Sequence, residues 1–452
     1  MSAATIFALS SAPGKAGIAV LRVSGPQAAA AARALSGRAE LPPRKAVTVR
    51  LRDPRSGETL DHGLVLLFKG KCSYTGEDLA EFHVHGGRAV VAGVVDALAS
   101  LPGLRPAAPG EFTRRAFEHG KLDLTAAEAI ADLVEADTAV QRRQALRQQE
   151  GALAALYDGW RDKLLQALSL AEAAIDFAEE ELPCSLYKQL HSIIDSITPC
   201  IQSHLSDAHR GERLRAGLQL VILGPPNSGK SSLLNVLARR EAAIVATTAG
   251  TTRDVIEVSL DLGGYPVTLA DTAGLRDSVD DVESEGVRRA RARAESADLK
   301  ILLFDGEHWP ALDATTAAFL DDRSLVVLNK SDLLEDQQEK KVITEFTSRY
   351  LHLISCLTGV GIDDFLHCLE EEIARRYRPL EDPVITRARH REALEECLEA
   401  LERYLSAGGQ DAASELGAED LRLAARSLGR ITGRIEVEDI LDRIFGQFCI
   451  GK

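Results

Sequence analysis

Three short polar motifs, each directly after an apolar run, constrain the fold of this chain more than any other feature. The motifs are Gly224-Pro225-Pro226-Asn227-Ser228-Gly229-Lys230-Ser231, Asp271-Thr272-Ala273-Gly274 and Asn329-Lys330-Ser331-Asp332. The apolar runs before them are strand candidates at residues 218–223, 267–270 and 325–328, and a helix-forming run at 232–237 follows the first motif. This strand–loop–helix pattern predicts an α/β core of the P-loop type.

The first motif is typical of a phosphate-binding loop. Its glycines let backbone N–H groups surround phosphates, Lys230 supplies a positive charge to the β- and γ-phosphates, and the Ser231 hydroxyl reaches Mg²⁺. The residues of this segment that we assign to nucleotide binding are Asn227, Ser228, Gly229, Lys230, Ser231 and Ser232.

The other two motifs distinguish a GTP site from an ATP site. Asp271 offers a second carboxylate to the Mg²⁺ shell. Asp332 can accept hydrogen bonds from both N1–H and the exocyclic amine of guanine, whereas adenine has no N1–H. A loop after the last core strand usually caps the base. The residues that these segments contribute to the predicted GTP site are Asp271, Thr272, Ala273, Gly274, Asn329, Lys330, Ser331, Asp332, Ser355, Cys356 and Leu357.

A threonine-rich loop between the first two motifs is a candidate switch loop. It should supply a threonine to Mg²⁺ and the γ-phosphate, and we expect Ser231 and Thr252 to bind the Mg²⁺ ion. The predicted nucleotide contacts here are Ala246, Thr247, Thr248, Ala249, Gly250, Thr251 and Thr252. The alternative to a GTP site is that these motifs are coincidental glycines and polar turns. The presence of all the motifs in one order along the chain argues against that alternative.

Length, charge and cysteine usage limit the remaining possibilities. A chain of 452 residues should hold two or three domains, and no stretch reaches membrane-spanning length. No secretory signal is visible, and seven cysteines without a CxxC pair favour a reducing, cytoplasmic location. A net charge of −15 argues against a general nucleic-acid coat. Three basic clusters, at residues 142–143, 288–293 and 387–391, are either solvated helix faces or RNA contacts.

The change of sequence pattern along the chain predicts a multidomain α/β plus α fold. The first 115 or so residues are rich in strands, such as 18–23 and 63–68, with helix-like runs at 27–35 and 88–101. Helical spacing dominates residues 125–214 and 386–432, and Thr125 with Glu128 indicates a capping box. We predict domains at residues 1–118, 119–215, 216–378 and 379–452, with the P-loop GTPase (Ras-like α/β) domain inserted in one helical domain whose two parts pack together.

Further segments carry a specific family resemblance over essentially the whole chain. They are the run at residues 12–26, Tyr74-Thr75-Gly76-Glu77-Asp78, His85-Gly86-Gly87, the run at 109–117, Lys121-Leu122-Asp123-Leu124 and the terminal Phe448-Cys449-Ile450-Gly451-Lys452. With the three nucleotide motifs, these segments resemble the bacterial tRNA-modification GTPase family MnmE (TrmE).

The resemblance implies partners and cofactors that the motifs alone do not. It implies an N-terminal folate-binding domain that forms a homodimer, and a flavin-containing partner, MnmG (GidA), in a hetero-tetramer or larger assembly. The pair would add an aminomethyl or carboxymethylaminomethyl group to C5 of the wobble uridine of certain tRNAs. The one-carbon unit would come from a tetrahydrofolate, bound as the 5-formyl or 5,10-methylene form, and GTP hydrolysis would be required.

The resemblance also implies how hydrolysis is catalysed. Leu275 stands where Ras-type GTPases carry the water-orienting glutamine, so another group must act. In the family, the GTPase cores dimerise around K⁺, which replaces an arginine finger. The matching K⁺ ligands are Asn227, Ala246, Thr248 and Thr251, and Ala246 offers only its carbonyl. Asn227 could instead be a turn-former.

The family's remaining functional positions can be carried over individually. Glu283 matches the glutamate that orients the attacking water through a second water, although a solvated surface charge is the alternative. Arg22, Glu81, Lys121 and Lys452 match folate contacts.

Cys449 near the C-terminus is a candidate nucleophile, either for the uridine or for the one-carbon unit, or else a buried tail residue. Two other functions stay open. One is a ribosome-assembly or translational GTPase switch, and the other is a folate-binding regulatory scaffold whose partner does all the chemistry.

Overall fold

The computed structural model describes residues 4–176, 184–240, 243–244, 257–271, 291–334, 351–378, 383–407, 414–435 and 438–451. The chain divides into two compact units. Unit 1 comprises residues 1–131, 148–186 and 403–452, and unit 2 comprises residues 132–147 and 187–402. The unit borders all fall inside helices, so the four-part domain division stays a prediction.

The described residues form two groups of strands, with a run of consecutive helices between them and further helices after the second group. The strands are β1 (Thr5–Leu9), β2 (Ala16–Ser24), β3 (Val47–Arg52), β4 (Thr59–Phe68), β5 (Leu79–Gly86), β6 (Leu104–Pro106), β7 (Leu218–Leu223), β8 (Ala243–Ile244), β9 (Glu257–Leu262), β10 (Tyr265–Asp271), β11 (Leu299–Asp305), β12 (Ser324–Asn329) and β13 (Leu351–Leu353). The helices are α1 (Ala28–Ser36), α2 (Arg88–Ala99), α3 (Glu111–Glu118), α4 (Leu124–Glu135), α5 (Ala139–Gln149), α6 (Ala152–Asp176), α7 (Cys184–Ser206), α8 (Ala208–Ala216), α9 (Lys230–Arg240), α10 (Ala314–Ala317), α11 (Ile362–Tyr377), α12 (Ala388–Ala407), α13 (Glu415–Thr432) and α14 (Glu438–Gly446). Residues 291–296 are also helical.

Unit 1 contains a mixed sheet with strand order β3-β4-β5-β2-β1-β6. Its neighbouring strands are antiparallel except for the parallel pair β1–β6. Buried and exposed residues alternate along β3, whereas β1 is buried on both faces because Ile6 and Ala8 pack with Phe112. Leu21 of β2 and Phe82 of β5 pack in one core with Leu35 of α1 and Leu98 of α2.

The helices of unit 1 include the pairing expected between the two helical stretches. Helix α6 packs along α13, and Leu164 and Leu428 are fully buried. Thr432 donates a hydrogen bond to Asp158 at 3.1 Å, and Arg422 contacts Glu172 at 2.9 Å. The prediction that the two helical stretches pack together is therefore confirmed for this pair.

The capping box predicted at Thr125 and Glu128 is wrong. The Asp123 carboxylate accepts hydrogen bonds from the backbone N–H groups of Thr125 and Ala126, at 2.8 and 3.0 Å. Thr125 lies inside α4 and donates its own hydroxyl to Asp123 at 2.6 Å. Asp123 therefore caps the helix, because aspartate accepts from orphan N–H groups as well as threonine does.

Unit 2 contains a seven-stranded sheet with strand order β13-β12-β11-β7-β10-β9-β8. Strands β13, β12, β11, β7 and β10 are parallel, whereas β9 and β8 are each antiparallel to their neighbour. Successive residues of a strand enter two different cores: Ile222 packs with α9 and α11, and Val221 packs with residues 294–297. Burial on both faces explains why these strands are continuous apolar runs.

Among the described residues, no helix is both long and apolar enough to cross a membrane.

Candidate functional site

The loops that carry the nucleotide motifs leave one edge of the unit 2 sheet. Ile222 near the end of β7 pairs with Asp271 at the end of β10. Asp305 at the end of β11 pairs with Asn329 at the end of β12. Because these strands are parallel, their carboxyl ends meet at the same edge, which is where open α/β sheets bind ligands.

The P-loop has the backbone of an anion-binding loop. Asn227 and Gly229 have positive φ, at 65° and 100°, so consecutive N–H groups turn towards the inside of the loop. Helix α9 begins directly afterwards, and its N-terminal end favours negative charge. The Lys230 ammonium donates to the carbonyls of Gly224 and Pro225 at 3.0 and 2.9 Å, which holds this cation across the loop.

Two P-loop positions require glycine because neighbouring atoms approach their backbone closely. A Cβ at Gly229 would overlap the Asn329 side-chain nitrogen, and one at Gly224 would overlap the Leu303 carbonyl. The loop therefore lies directly against the ends of β11 and β12, and any larger residue would displace it.

Asn329 joins three loops of the candidate site. Its side-chain amide donates to the Ser228 carbonyl at 2.8 Å, and its side-chain oxygen accepts from the Cys356 N–H at 3.1 Å. Only 3% of Asn329 is exposed. Loops that are distant in sequence are thus held together by one buried side chain, which fixes the phosphate loop relative to the proposed base loop.

Sequence reasoning did not identify Asp305, although the structure joins it to the base loop. Its carboxylate lies 2.5 Å from the Lys330 ammonium, and this contact raises the Lys330 pKa. Lys330 has a positive φ of 60°, and a Cβ at Gly306 would lie 2.8 Å from the Asn329 carbonyl. Asp305 ends an apolar strand just as Asp271 does, and that pattern is the signal that could have revealed it.

The remaining base-loop residues are arranged as a short turn beside a capped loop. The Ser331 N–H donates to the Ile354 carbonyl at 3.0 Å, and Asp332 is exposed in the following turn. Ser355 is buried and accepts from the Thr358 N–H at 3.1 Å. Burial raises the pKa of the Cys356 thiol to about 11, so that thiol is neutral at physiological pH.

Several predicted residues fall outside the described part of the chain. They are Ala246, Thr247, Thr248, Ala249, Gly250, Thr251, Thr252, Thr272, Ala273, Gly274, Leu275, Glu283 and Lys452. Only the backbone of Asp271 is described.

Two of the predicted folate contacts are brought together in unit 1. Arg22 and Glu81 pair across β2 and β5, and the guanidinium donates to one carboxylate oxygen at 3.0 and 3.2 Å. The guanidinium carbon also lies 5.4 Å from the centre of the Tyr74 ring and 5.8 Å from that of Phe112. Arg22 is therefore oriented by an ion pair and by two aromatic rings.

Lys121 is held by a separate backbone contact of unit 1. Its ammonium donates to the Lys71 carbonyl at 2.8 Å. Lys121 lines a cavity of about 860 Å³ together with Arg114, Phe117, Gly433 and Arg434, among others, and neither Arg22 nor Glu81 is part of that lining.

The C-terminal tail is fixed to the N-terminal part of unit 1 by its backbone. Ile450 forms a β-bridge with Pro109, and the Ser10 hydroxyl donates to the Gly451 carbonyl at 3.0 Å. Phe448 is buried, whereas the Cys449 side chain is exposed. The reading of Cys449 as a buried tail residue is therefore wrong, and its thiol is accessible to a reactant.

Comparisons with family models cover both units. Residues 5–121 match the model described as GTP-binding protein TrmE N-terminus. Residues 124–449 match the model described as MnmE helical domain.

Individual relatives are similar over the whole length. A protein from Parvibaculum lavamentivorans named tRNA modification GTPase MnmE is 55% identical, over 99% of this chain and 100% of that protein. The Homo sapiens protein named 5-taurinomethyluridine-[tRNA] synthase subunit GTPB3, mitochondrial, is 48% identical, over 100% of this chain and 94% of that protein. Among solved structures, the G domain of the T. maritima FeoB iron transporter covers 35% of this chain, with 20% identity, a TM-score of 0.25 and 97% of its own length aligned.

Proposed function

The chain belongs to the MnmE family of tRNA-modification GTPases, and on that premise we propose that it hydrolyses GTP at the carboxyl edge of the unit 2 sheet to support modification of the wobble uridine. The observation that carries the proposal is the Asn329 side chain, which binds both the P-loop and the loop at Cys356. A triphosphate loop and a base loop held in one geometry suit a nucleotide that reaches from one to the other.

The proposed nucleotide contacts are those of the motifs. P-loop N–H groups and Lys230 would bind the phosphates, and Ser231, Thr252 and Asp271 would hold Mg²⁺, which would supply positive charge beside the phosphates. Asp332 binds the guanine edge. Lys330, paired with Asp305, would lie beside the base.

The proposed catalytic device is a K⁺-bound dimer of GTPase cores. Asn227 has a left-handed backbone, at φ 65°, at the outer turn of the P-loop, and it would offer its side-chain oxygen to the cation. Ala246, Thr248 and Thr251 would complete the ligands. K⁺ held there would supply the positive charge of an arginine finger, and Glu283 would orient the water.

We further propose that unit 1 binds a reduced folate. Arg22 and Glu81 are ion-paired, so both would meet the same end of the folate, where Glu81 would accept from pterin amino groups. Lys121 and Lys452 would add positive charge. The accessible Cys449 thiol is the proposed nucleophile for the uridine or the one-carbon unit.

The partner is proposed to be the flavoprotein MnmG, acting with a homodimer of this chain. The human relative is named as a subunit of a tRNA-modifying synthase, which supports a shared reaction. The product would be an aminomethyl or carboxymethylaminomethyl group at C5 of the wobble uridine.

The direct test is mass spectrometry of tRNA nucleosides after incubation with this protein, MnmG, GTP, K⁺, methylene-tetrahydrofolate and an amine donor, ammonium or glycine, which supplies the nitrogen of the product. The expected result is a C5-modified uridine that disappears when any one component is omitted. Modified uridine formed by MnmG without this chain would refute the proposal and favour a regulatory scaffold. GTP hydrolysis without any dependence on tRNA modification would favour a translational switch.

A second experiment tests the base assignment. Asp332→Asn should weaken GTP binding by on the order of 10- to 100-fold, since a lost charge-assisted bond costs about 1.5–3 kcal/mol, and should shift preference towards xanthosine triphosphate. Asp322→Asn removes the same charge from an exposed position of unit 2 and serves as the control. Equal GTP affinities in both variants would contradict the assignment.

A further inference from the structure

Helix α5 has an unusual composition for a chain with a net charge of −15. Its sequence, AVQRRQALRQQ, contains three arginines and four glutamines and no acidic residue. The helix is therefore a local concentration of positive charge. Charges separated by more than about 8 Å are largely screened at physiological salt, so a local surface can attract an anion despite the net charge.

One face of α5 is fixed to unit 2 by its glutamines and small apolar residues. Gln141 donates to the Arg215 carbonyl at 3.0 Å, and Gln144 donates to the Gly211 carbonyl at 3.2 Å. Val140 is buried in the core of unit 2, and its N–H donates to the Gly264 carbonyl at 3.2 Å. The orientation of the helix, and hence of its opposite face, is set by these contacts.

The opposite face presents the arginines to solvent. Arg142, Arg143 and Arg147 are exposed, with Leu146 between them. We call the exposed Arg142, Arg143 and Arg147 the α5 face.

The α5 face differs from the other basic clusters of the chain. In the cluster at residues 387–391, Arg387 contacts Asp132 at 2.6 Å and Arg391 contacts Glu212 at 3.3 Å. Among the described residues, no carboxylate forms an ion pair with Arg142 or Arg143. The acids closest in sequence are Glu135 and Asp137 before the helix and Glu150 after it. Ion pairs within the protein thus neutralise Arg387 and Arg391, whereas Arg142 and Arg143 stay available to a partner.

We propose that the α5 face binds the phosphate backbone of tRNA, an inference that rests on the proposed function. Guanidinium groups bind phosphate oxygens bidentately. Gln149, which is exposed at the C-terminal end of the helix, can donate to sugar and phosphate oxygens. Backbone contacts fix the position of an RNA without reading its sequence, so this face would orient tRNA rather than select it.

The test is the salt dependence of tRNA binding by the full-length, nucleotide-free protein. In Arg142→Gln/Arg143→Gln/Arg147→Gln, the slope of log K against log salt should become shallower by about 2, since each lost phosphate contact removes roughly 0.7–0.9. Affinity at low salt should fall by at least tenfold. GTP hydrolysis without tRNA should stay at the wild-type rate, which verifies folding.

The matched control is Arg33→Gln/Arg50→Gln/Arg52→Gln, which makes the same charge change at exposed positions of unit 1. It should bind tRNA with nearly the wild-type slope. An unchanged slope in the α5 variant, or equal losses in both variants, would overturn the inference. So would an α5 variant that binds tRNA normally but no longer binds MnmG, because the face would then be a protein-binding surface.

The same samples separate this inference from the proposed function. Suppose that the wild-type protein forms modified uridine with MnmG and that the α5 variant binds tRNA as the wild type does. The inference about α5 is then refuted, and the proposed function stands. Wild-type protein that neither binds tRNA nor forms modified uridine refutes both.

Discussion

Asn329→Ala should uncouple the P-loop from the base loop. In the structure, the Asn329 side chain satisfies the Ser228 carbonyl at 2.8 Å and the Cys356 N–H at 3.1 Å, in a position where only 3% of the residue is exposed. Alanine removes both partners. Each buried group left unsatisfied costs about 1–3 kcal/mol, so the native loop arrangement should lose about 2–6 kcal/mol.

The loss should be local, so hydrogen exchange measured by mass spectrometry is the suitable assay. A single unfolding free energy is poorly defined for a chain of two units, whereas opening of a loop is read directly from its amide protection. A loss of 2 kcal/mol corresponds to roughly 30-fold faster exchange. We expect faster exchange in peptides 224–233 and 353–359, and little change in peptide 299–304.

Two further variants sharpen this prediction. Asn329→Asp keeps an acceptor for the Cys356 N–H but places a carboxylate oxygen against the Ser228 carbonyl, so the P-loop peptide should lose more protection than the other loop. Asn235→Ala, on the exposed side of α9, is the control. Wild-type exchange in both loops of Asn329→Ala, together with unchanged GTP affinity, would refute the argument.

Three other predictions follow from described contacts. Asp305→Asn should weaken GTP binding about tenfold or more in a titration, because Lys330 loses a charge-assisted contact. The Glu307 carboxylate lies 3.7 Å from the same ammonium, and Glu307→Gln should change GTP binding little. Equal effects of the two variants would contradict a positioning role for Asp305. Burial lowers the His352 pKa below 6.5, so the folded state binds fewer protons than the unfolded state, and thermal stability should fall as pH drops through 6.5. This fall should be smaller in His352→Phe, and identical pH profiles of the variant and the wild type would exclude a contribution of His352. Cys449→Ser should abolish uridine modification and keep K⁺-stimulated GTP hydrolysis, since serine is a far weaker nucleophile at neutral pH; full modification would exclude a catalytic thiol.

Much of the secondary structure near the site could be predicted from sequence. The strand candidate at residues 218–223 coincides with β7, and those at 267–270 and 325–328 lie inside β10 and β12. These strands are buried on both faces, so they appear as uninterrupted apolar runs between polar loops. The N-terminal helix predicted at residues 27–35 is α1, which lies one residue further on.

The capping prediction failed for a local reason. Thr125 and Glu128 have the right spacing for a capping box, but Asp123 lies two residues earlier and accepts from the N–H groups of Thr125 and Ala126, so the helix already begins before Thr125. A pattern of residue types cannot decide between two capable side chains, because the start of a helix depends on how the preceding loop enters it.

The sequence by itself determined which loops are the candidates for nucleotide chemistry. The glycines, Lys230 and Asp332 would act through backbone conformation and functional groups that their residue types dictate, so a motif is sufficient to propose them. Only the tertiary structure decided which groups meet. Asn329 and Ser228 lie 101 positions apart, and Asp132 neutralises Arg387 across 255 positions while the arginines of α5 are directed outward. Such pairings depend on the packing of whole strands and helices, and no local pattern encodes them.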